Sequence, residues 1–303
     1  MAATGTKKRA APTQATVRRI LYIICVIIAV GVTLYNRNHT VVQTVQPVDG
    51  EMQIYFIDVV QADCELIVCG DHSVLVDGGE AATAADVLKR INDLGIKKLD
   101  CIVATHPHAD HIGGLPYILD NIEVGEVLMP KLTKKNIPTT RTYEKFLTSL
   151  ANNGAKAVRA TPGDTHVYGD IRFQILSPVF EQTEGLNNMS IVFRMEYGET
   201  SFLFTGDAEK QVERELVSTG STLKCDVLKV GHHGSATSST EEFISAVAPR
   251  YAFIECGDGT PSHPHRQTLD RLAAVGAQVY RTDLNGTIIL TTDGKNITVT
   301  TEK

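Results

Sequence analysis

The sequence predicts an α/β domain in which two sheets pack face to face with helices outside, an αββα sandwich. Three observations point there. Short apolar runs rich in β-branched residues alternate with longer segments of helical composition. Runs and helices fall into two successive halves. The chain has 303 residues and is 43% hydrophobic, enough for one large core or two small ones. Periodicity alone fits this sandwich and other α/β layouts alike.

The elements follow in order. Residues 52–58, 64–69 and 74–77 read as strands, with a turn at Cys69-Gly70-Asp71-His72. Residues 81–94 have helical composition and stop at Gly95. A strand over 101–105 precedes a helix over 112–121, despite Pro116 near its start. Residues 124–129 are a strand ended by Pro130, and 139–153 a helix closed by Gly154. Strands follow over 157–159, 171–176, 190–197 and 200–205, the last two joined by a hairpin turn. Helices over 208–219, 240–247 and 264–275 alternate with strands over 225–230 and 251–255. Strands over 278–281, 286–291 and 297–300 close the chain.

The N-terminal segment is a different kind of sequence. Residues 20–35 carry no charge and follow Lys7, Lys8, Arg9, Arg18 and Arg19. The run is slightly short for a hydrocarbon core of ~30 Å, a gap that snorkelling flanks make up. Positive charge before it predicts a cytoplasmic basic tail (1–19), a transmembrane signal anchor (20–36), a stalk (37–50) and an extracytoplasmic domain (51–303). Leu34-Tyr35-Asn36-Arg37 is a poor cleavage site, so the anchor is expected to stay and leave a single-pass cell-membrane protein. The first 37 residues hold six Lys+Arg and no acid, leaving 23 basic against 35 acidic residues beyond them, a net of −12. That balance disfavours tight nonspecific nucleic-acid binding. Cys64, Cys69, Cys101, Cys225 and Cys256 show no Cys-x-x-Cys spacing and read as small core residues.

Residues 105–114 read Thr-His-Pro-His-Ala-Asp-His-Ile-Gly-Gly, directly after the apolar Cys101-Ile102-Val103-Ala104. Imidazole and carboxylate are the usual ligands of zinc and similar ions. His106 and His108 alternate in an extended segment and can face one metal. Asp110 and His111 follow as the chain turns and can face a second. Gly113 and Gly114 let the next helix begin close by.

His-x-His-x-Asp-His resembles the signature of the metallo-β-lactamase superfamily, and the chain resembles its competence-protein (ComEC-type) hydrolase branch. The resemblance covers roughly residues 52–291. It includes Ile57-Asp58-Val59, Val74-Leu75-Val76-Asp77-Gly78-Gly79, Asn187-Asn188-Met189-Ser190, Phe204-Thr205-Gly206-Asp207 and Leu228-Lys229-Val230-Gly231-His232-His233-Gly234-Ser235. It implies the αββα fold and two divalent ions, zinc first and manganese as the alternative. Asp207 would bridge the ions. Of the adjacent histidines one would complete the second ion and the other lie near the leaving group, His232 being assigned to metal and His233 to acid or outer-shell work, with the two nearly interchangeable. Asp110 would bind metal and orient or accept a proton. Asp77 would orient a ligand histidine from behind, with Asp58 similarly placed. Asn187 and Asn188 stand where many members carry a histidine ligand, so the first metal is expected to be held loosely. His263 would touch substrate or metal. Two loops depart from the branch: Val60-Gln61-Ala62-Asp63 lacks two glycines, and Asp258-Gly259-Thr260-Pro261-Ser262 differs before His263.

The functional expectation is a metal-dependent hydrolase with an activated water, acting on a phosphodiester of DNA or of a phosphorylated cell-envelope polymer. A zinc hydrolase of amides or lactones is the alternative, and a binding module with a degenerate site the non-enzyme reading. Lys131, Lys134, Lys135, Arg141 and Lys145 form a basic stretch that fits a phosphate-bearing substrate or a plain solvated face. Partners are the substrate and the membrane, and the oligomeric state stays open.

Overall fold

Fifteen strands in the described residues sort into two sheets. The computed structural model describes residues 50–178, 185–258 and 263–303. The strands are β1 (Met52–Phe56), β2 (Glu65–Cys69), β3 (His72–Val76), β4 (Lys98–Val103), β5 (Glu123–Met129), β6 (Lys156–Arg159), β7 (Thr165–Tyr168), β8 (Ile171–Ser177), β9 (Val192–Tyr197), β10 (Thr200–Phe204), β11 (Val227–Lys229), β12 (Tyr251–Ile254), β13 (Gln278–Arg281), β14 (Ile288–Thr292) and β15 (Ile297–Thr301). One sheet runs β15-β14-β1-β2-β3-β4-β5-β6 and the other β13-β12-β11-β10-β9-β8-β7. The halves are therefore not strictly successive. The C-terminal hairpin crosses back, and β14 pairs antiparallel with β1.

Apolar side chains from both sheets fill the space between them. Phe56 of β1 stacks on Phe253 of β12 at 4.2 Å, and Phe193 on Phe204 at 4.7 Å, all fully buried or nearly so. Each such ring contributes about 1.5–3 kcal/mol by leaving water. The outer face of the second sheet is covered by the helices Lys210–Ser218, Glu241–Val247 and Arg266–Ala274, which bury Val212, Leu216, Phe243, Val247 and Leu272. On the first sheet's side lie Ala84–Asp93, Leu115–Leu119 and Arg141–Asn153, each with an apolar buried stripe.

Two parallel runs matter for function. β3, β4, β5 and β6 are mutually parallel, as are β10, β11, β12 and β13. The segments after β3, β4, β10, β11 and β12 carry the residues of the site.

Several details differ from the sequence reading. The helix expected over 112–121 is split at Gly113-Gly114 into Ala109–Ile112 and Leu115–Leu119. β7 went unpredicted because it is a four-residue edge strand of alternating exposure, too short for a pattern. The five cysteines are buried and free, as expected of core residues. The anchor (20–36), the stalk up to residue 49, and Gly259 to Ser262 lie outside the described residues. Among the described residues, no helix is long and apolar enough to cross a membrane.

Candidate metal centre

Strand β4 ends at Val103, and the chain runs extended to His108 before turning into Ala109–Ile112. The turn is clamped from β3. Gly78 N–H donates to the His111 carbonyl (2.8 Å), and Gly114 N–H to the Gly79 carbonyl (2.8 Å). The contact admits no side chain, since a Cβ on Gly114 would lie 2.0 Å from the Gly78 carbonyl oxygen. Asp77, at φ +54, turns its carboxylate into the same loop. It accepts from the Thr105 backbone N–H (2.8 Å), the Thr105 hydroxyl (2.6 Å) and His111 Nδ1 (2.7 Å). His111 Nε2 is thereby aimed away from Asp77.

Asp207 stands between two groups of donors. Its Oδ2 faces His106 Nε2 at 3.6 Å, and His108 joins that group. Its Oδ1 faces His111 Nε2 at 3.3 Å and His233 Nε2 at 3.8 Å, with Asp110 beside both rings. His106, His108 and Asp207 form one potential ligand set, and Asp110, His111, Asp207 and His233 another. The Asp207 loop is held by Asn188, whose Oδ1 accepts from the Glu209 N–H (3.1 Å), and by Ser190, whose hydroxyl accepts from the Asp207 N–H (3.1 Å).

The donors fit divalent ions. His111 Nε2, His233 Nε2 and Asp207 Oδ1 are buried without a hydrogen-bond partner and converge. Leaving three such atoms unpaired costs about 1–3 kcal/mol each, which a shared cation reverses. Mixed imidazole and carboxylate suits zinc and also manganese. Charge points the same way. Burial disfavours a charged His233, but Asp63 and Asp207 outweigh it and push the ring up to about 10. Burial likewise opposes a charged His111, while Asp207 and Asp77 hold it well above its usual range. Asp207 is raised by burial but kept well below the carboxylate range by His111 and His233. The pocket thus gathers positive charge, which a metal supplies once the ring protons leave.

The structure brings together His106, His108, Asp110, His111, Asp207 and Asp77 as the sequence suggested. The adjacent histidines, nearly interchangeable by sequence, are turned to different sides. His233 faces the second group. His232 lies on the first side, with Nε2 3.6 Å from Asp207 Oδ2 and the Asn187 amide 3.4 Å away. The reason is local: both residues are left-handed, at φ +51 and +52, and their rings diverge. His233 is buried, with Nδ1 beside the Glu255 carbonyl (2.9 Å) and Asp63 (3.1 Å) and Nε2 turned to the second group. Asn187 Oδ1 is buried and unpartnered on the first side, whereas Asn188 serves the backbone. His263 lies at the rim, its ring centre 5.7 Å from that of His232. Asp58 sits apart, paired with Lys303 (3.1 Å).

Sequence reasoning missed Asp63, Lys229, Glu65 and Glu255, all about 1% exposed. Lys229 Nζ donates to Asp63 Oδ2 at 2.6 Å and lies 3.7 Å from Glu255. The available signal was a lysine inside the apolar run Val227-Leu228-Lys229-Val230.

The model of the metallo-beta-lactamase superfamily matches residues 57–257. Over 195 residues the sequence is 38% identical to ComE operon protein 3 of Bacillus subtilis, covering 64% of this chain and 25% of that protein. It is 32% identical over 242 residues to Recombination protein 2 of Haemophilus influenzae, covering 78% of this chain and 28% of that one. The alignments thus span little more than a quarter of these relatives. Among solved structures, the metallo-beta-lactamase fold protein YhfI of Bacillus subtilis superposes with a TM-score of 0.54 at 15% identity, over 80% of this chain and 99% of that one, which shows the shared fold.

Proposed function

Because this chain belongs to the metallo-beta-lactamase superfamily of metal-dependent hydrolases, in its competence-protein branch, we propose that it hydrolyses phosphodiesters with a pair of divalent cations. One observation carries the reading. Asp207 turns one carboxylate oxygen to His106 and His108 and the other to Asp110, His111 and His233. A shared carboxylate between two donor sets is what a two-cation hydrolytic site requires. When bound, the pair would activate water at neutral pH and neutralise charge developing on the scissile group.

The chain's own residues do the rest. Asp110 has a side chain 32% exposed and a carboxylate 3.4 Å from His233 Nε2, so it reaches both the donors and solvent. It orients the attacking water and can take its proton. Burial and then His233 and His232 hold His263 below its usual range, and its place at the rim beside His232 sets it where a substrate would enter.

The phosphodiester preference has two supports. Met129, Pro130 and Leu132 line one small cavity with His106 and Pro107, so the loop after β5 borders the first donor group. That loop and the next helix carry Lys131, Lys134, Lys135, Arg141 and Lys145, all exposed, against Glu144 alone. A basic rim on an otherwise acidic domain fits a substrate that carries repeated phosphates. The relatives are named for competence and recombination, in keeping with a DNA-related substrate. Zinc is the preferred ion and manganese the alternative. Residues 20–36 would anchor the catalytic domain outside the cytoplasmic face.

The test is elemental analysis, followed by hydrolysis of bis-p-nitrophenyl phosphate, single-stranded DNA and nitrocefin with zinc or manganese. Two ions per chain and cleavage of both phosphodiesters are expected. Turnover of nitrocefin alone would overturn the substrate assignment, and a metal-free protein under replete conditions the whole reading.

A further inference from the structure

We infer that Lys229 is a positioning residue for the second donor group: acting through Asp63, it fixes the His233 imidazole and so sets how tightly that group holds its cation. The inference rests on the metal-pair part of the proposed function and is independent of the substrate.

The geometry is a continuous relay. Lys229 Nζ donates to Asp63 Oδ2 at 2.6 Å. The other oxygen of Asp63 lies 3.1 Å from His233 Nδ1. The Glu255 carbonyl oxygen shares that nitrogen at 2.9 Å. The carbonyl accepts from Nδ1, the Asp63 carboxylate adds a close charge contact beside it, and a proton held there leaves Nε2 as the ligand atom. His233 Nε2 is the end of the relay, buried, unpartnered and 3.4 Å from Asp110.

The position of the lysine argues for a purpose beyond packing. Strand β11 is otherwise apolar, and Val227, Leu228 and Val230 beside it are buried. An ammonium there costs several kcal/mol in lost hydration, offset only by its partners, and an apolar residue of similar volume would serve the core better. Lys229 is also the cation that faces a buried group of three carboxylates, Asp63, Glu65 and Glu255, which lie within 4.8 Å of one another. Without it Asp63 would meet two acidic neighbours with only the His233 and His111 imidazoles opposite, and the carboxylate beside His233 would lose the donor that holds it in place. His111 provides the internal comparison. Its orienting carboxylate, Asp77, is steadied by two donors from Thr105. Asp63 accepts instead from the lysine.

The test is a double-mutant cycle on metal affinity, read by chelator competition and by the absorption spectrum of the cobalt-loaded protein. Lys229→Met and Asp63→Asn are each expected to weaken the more tightly held ion by about 10–100-fold. The cobalt spectrum of that site should change in both. The double variant, which removes both buried charges, should be no weaker than the worse single variant, because the two residues act in one chain. Wild-type affinity in a folded Lys229→Met protein would overturn the inference, as would losses that add. If Lys229→Met alone fails to fold, Asp63→Asn and the double variant decide, and wild-type affinity in either refutes the relay. Protein that binds both ions normally but cleaves no phosphodiester would sink the proposed substrate and leave this inference standing. Protein that binds no ion at all would sink the metal-pair reading first.

Discussion

The two donor groups around Asp207 are built to different standards. In the second, each imidazole is backed by a buried carboxylate: Asp77 behind His111 at 2.7 Å and Asp63 behind His233 at 3.1 Å. In the first, His106 has only the Thr105 hydroxyl at 3.2 Å, and its Nε2 points at His108 Nδ1 at 3.0 Å. His108 is half-buried, and beyond it stand His232 and the Asn187 amide, both partly open to solvent. The second group is therefore pre-organised, whereas the first must separate the rings of His106 and His108 and turn side chains to receive an ion. On this geometry one shared carboxylate would join a tighter site to a softer one, with the backing carboxylates setting the difference.

The comparison can be broken most completely at its hinge. Asp207→Ala should remove both ions and lower phosphodiester turnover by on the order of 10³, with far-UV circular dichroism unchanged. Next come the two sides. Graded chelation should strip the wild type in two steps, and His108→Ala should lose the early-leaving ion while retaining the late one. His233→Ala should do the reverse, and equal losses in both variants would show that the two groups are equivalent. A smaller effect is expected at the rim of the soft side. Lys134→Glu combined with Lys135→Glu should raise KM for single-stranded DNA about tenfold and flatten its salt dependence. Bis-p-nitrophenyl phosphate should be turned over as before.

The smallest effect lies behind the tight side. Burial raises both Glu65 and Glu255; repulsion from Glu255 adds to the first and repulsion from Asp63 to the second, and Glu255 is pushed up to about 7. Asp63, Lys229 and the Cys64 N–H also face Glu255, and its own carbonyl meets His233. The folded state keeps a proton on this pair that the unfolded chain has released. Its stabilising contribution is full below the ordinary glutamate value and fades as pH rises towards 7. In metal-free protein, urea midpoints should fall over that interval, by on the order of 1 kcal/mol per pH unit at most. Glu255→Gln should flatten the slope.

What could be read from the sequence follows from how local each signal is. His106, His108, Asp110 and His111 fall within six consecutive positions at a strand end, so residue type and place sufficed; Asp77 and Asp207 also follow apolar strands, but their roles came from the resemblance. Asp63 and Lys229 are 166 positions apart, and neither means anything until β11 is laid beside the β1–β2 turn. The order of His232 and His233 was hidden for another reason: it depends on two successive left-handed residues, and neither is a glycine or asparagine. Strands with continuous apolar runs were found within one to three residues of their ends, whereas the edge strand β7 left no pattern. The sandwich itself needed the resemblance, because alternating strands and helices fit several layouts.

The glycine clamp between the β3 turn and the histidine loop bears on how this scaffold can change. At Gly114 even a methyl group would strike the facing carbonyl at 2.0 Å, so the loop that presents four donors leaves no room for experiment. The exposed side chains of Lys131, Lys134, Lys135, Arg141 and Lys145 lie on the segment that borders the same site and meet no such restriction. Laboratory evolution towards new substrates would gain most by randomising that rim, and every library member would inherit the chemistry intact.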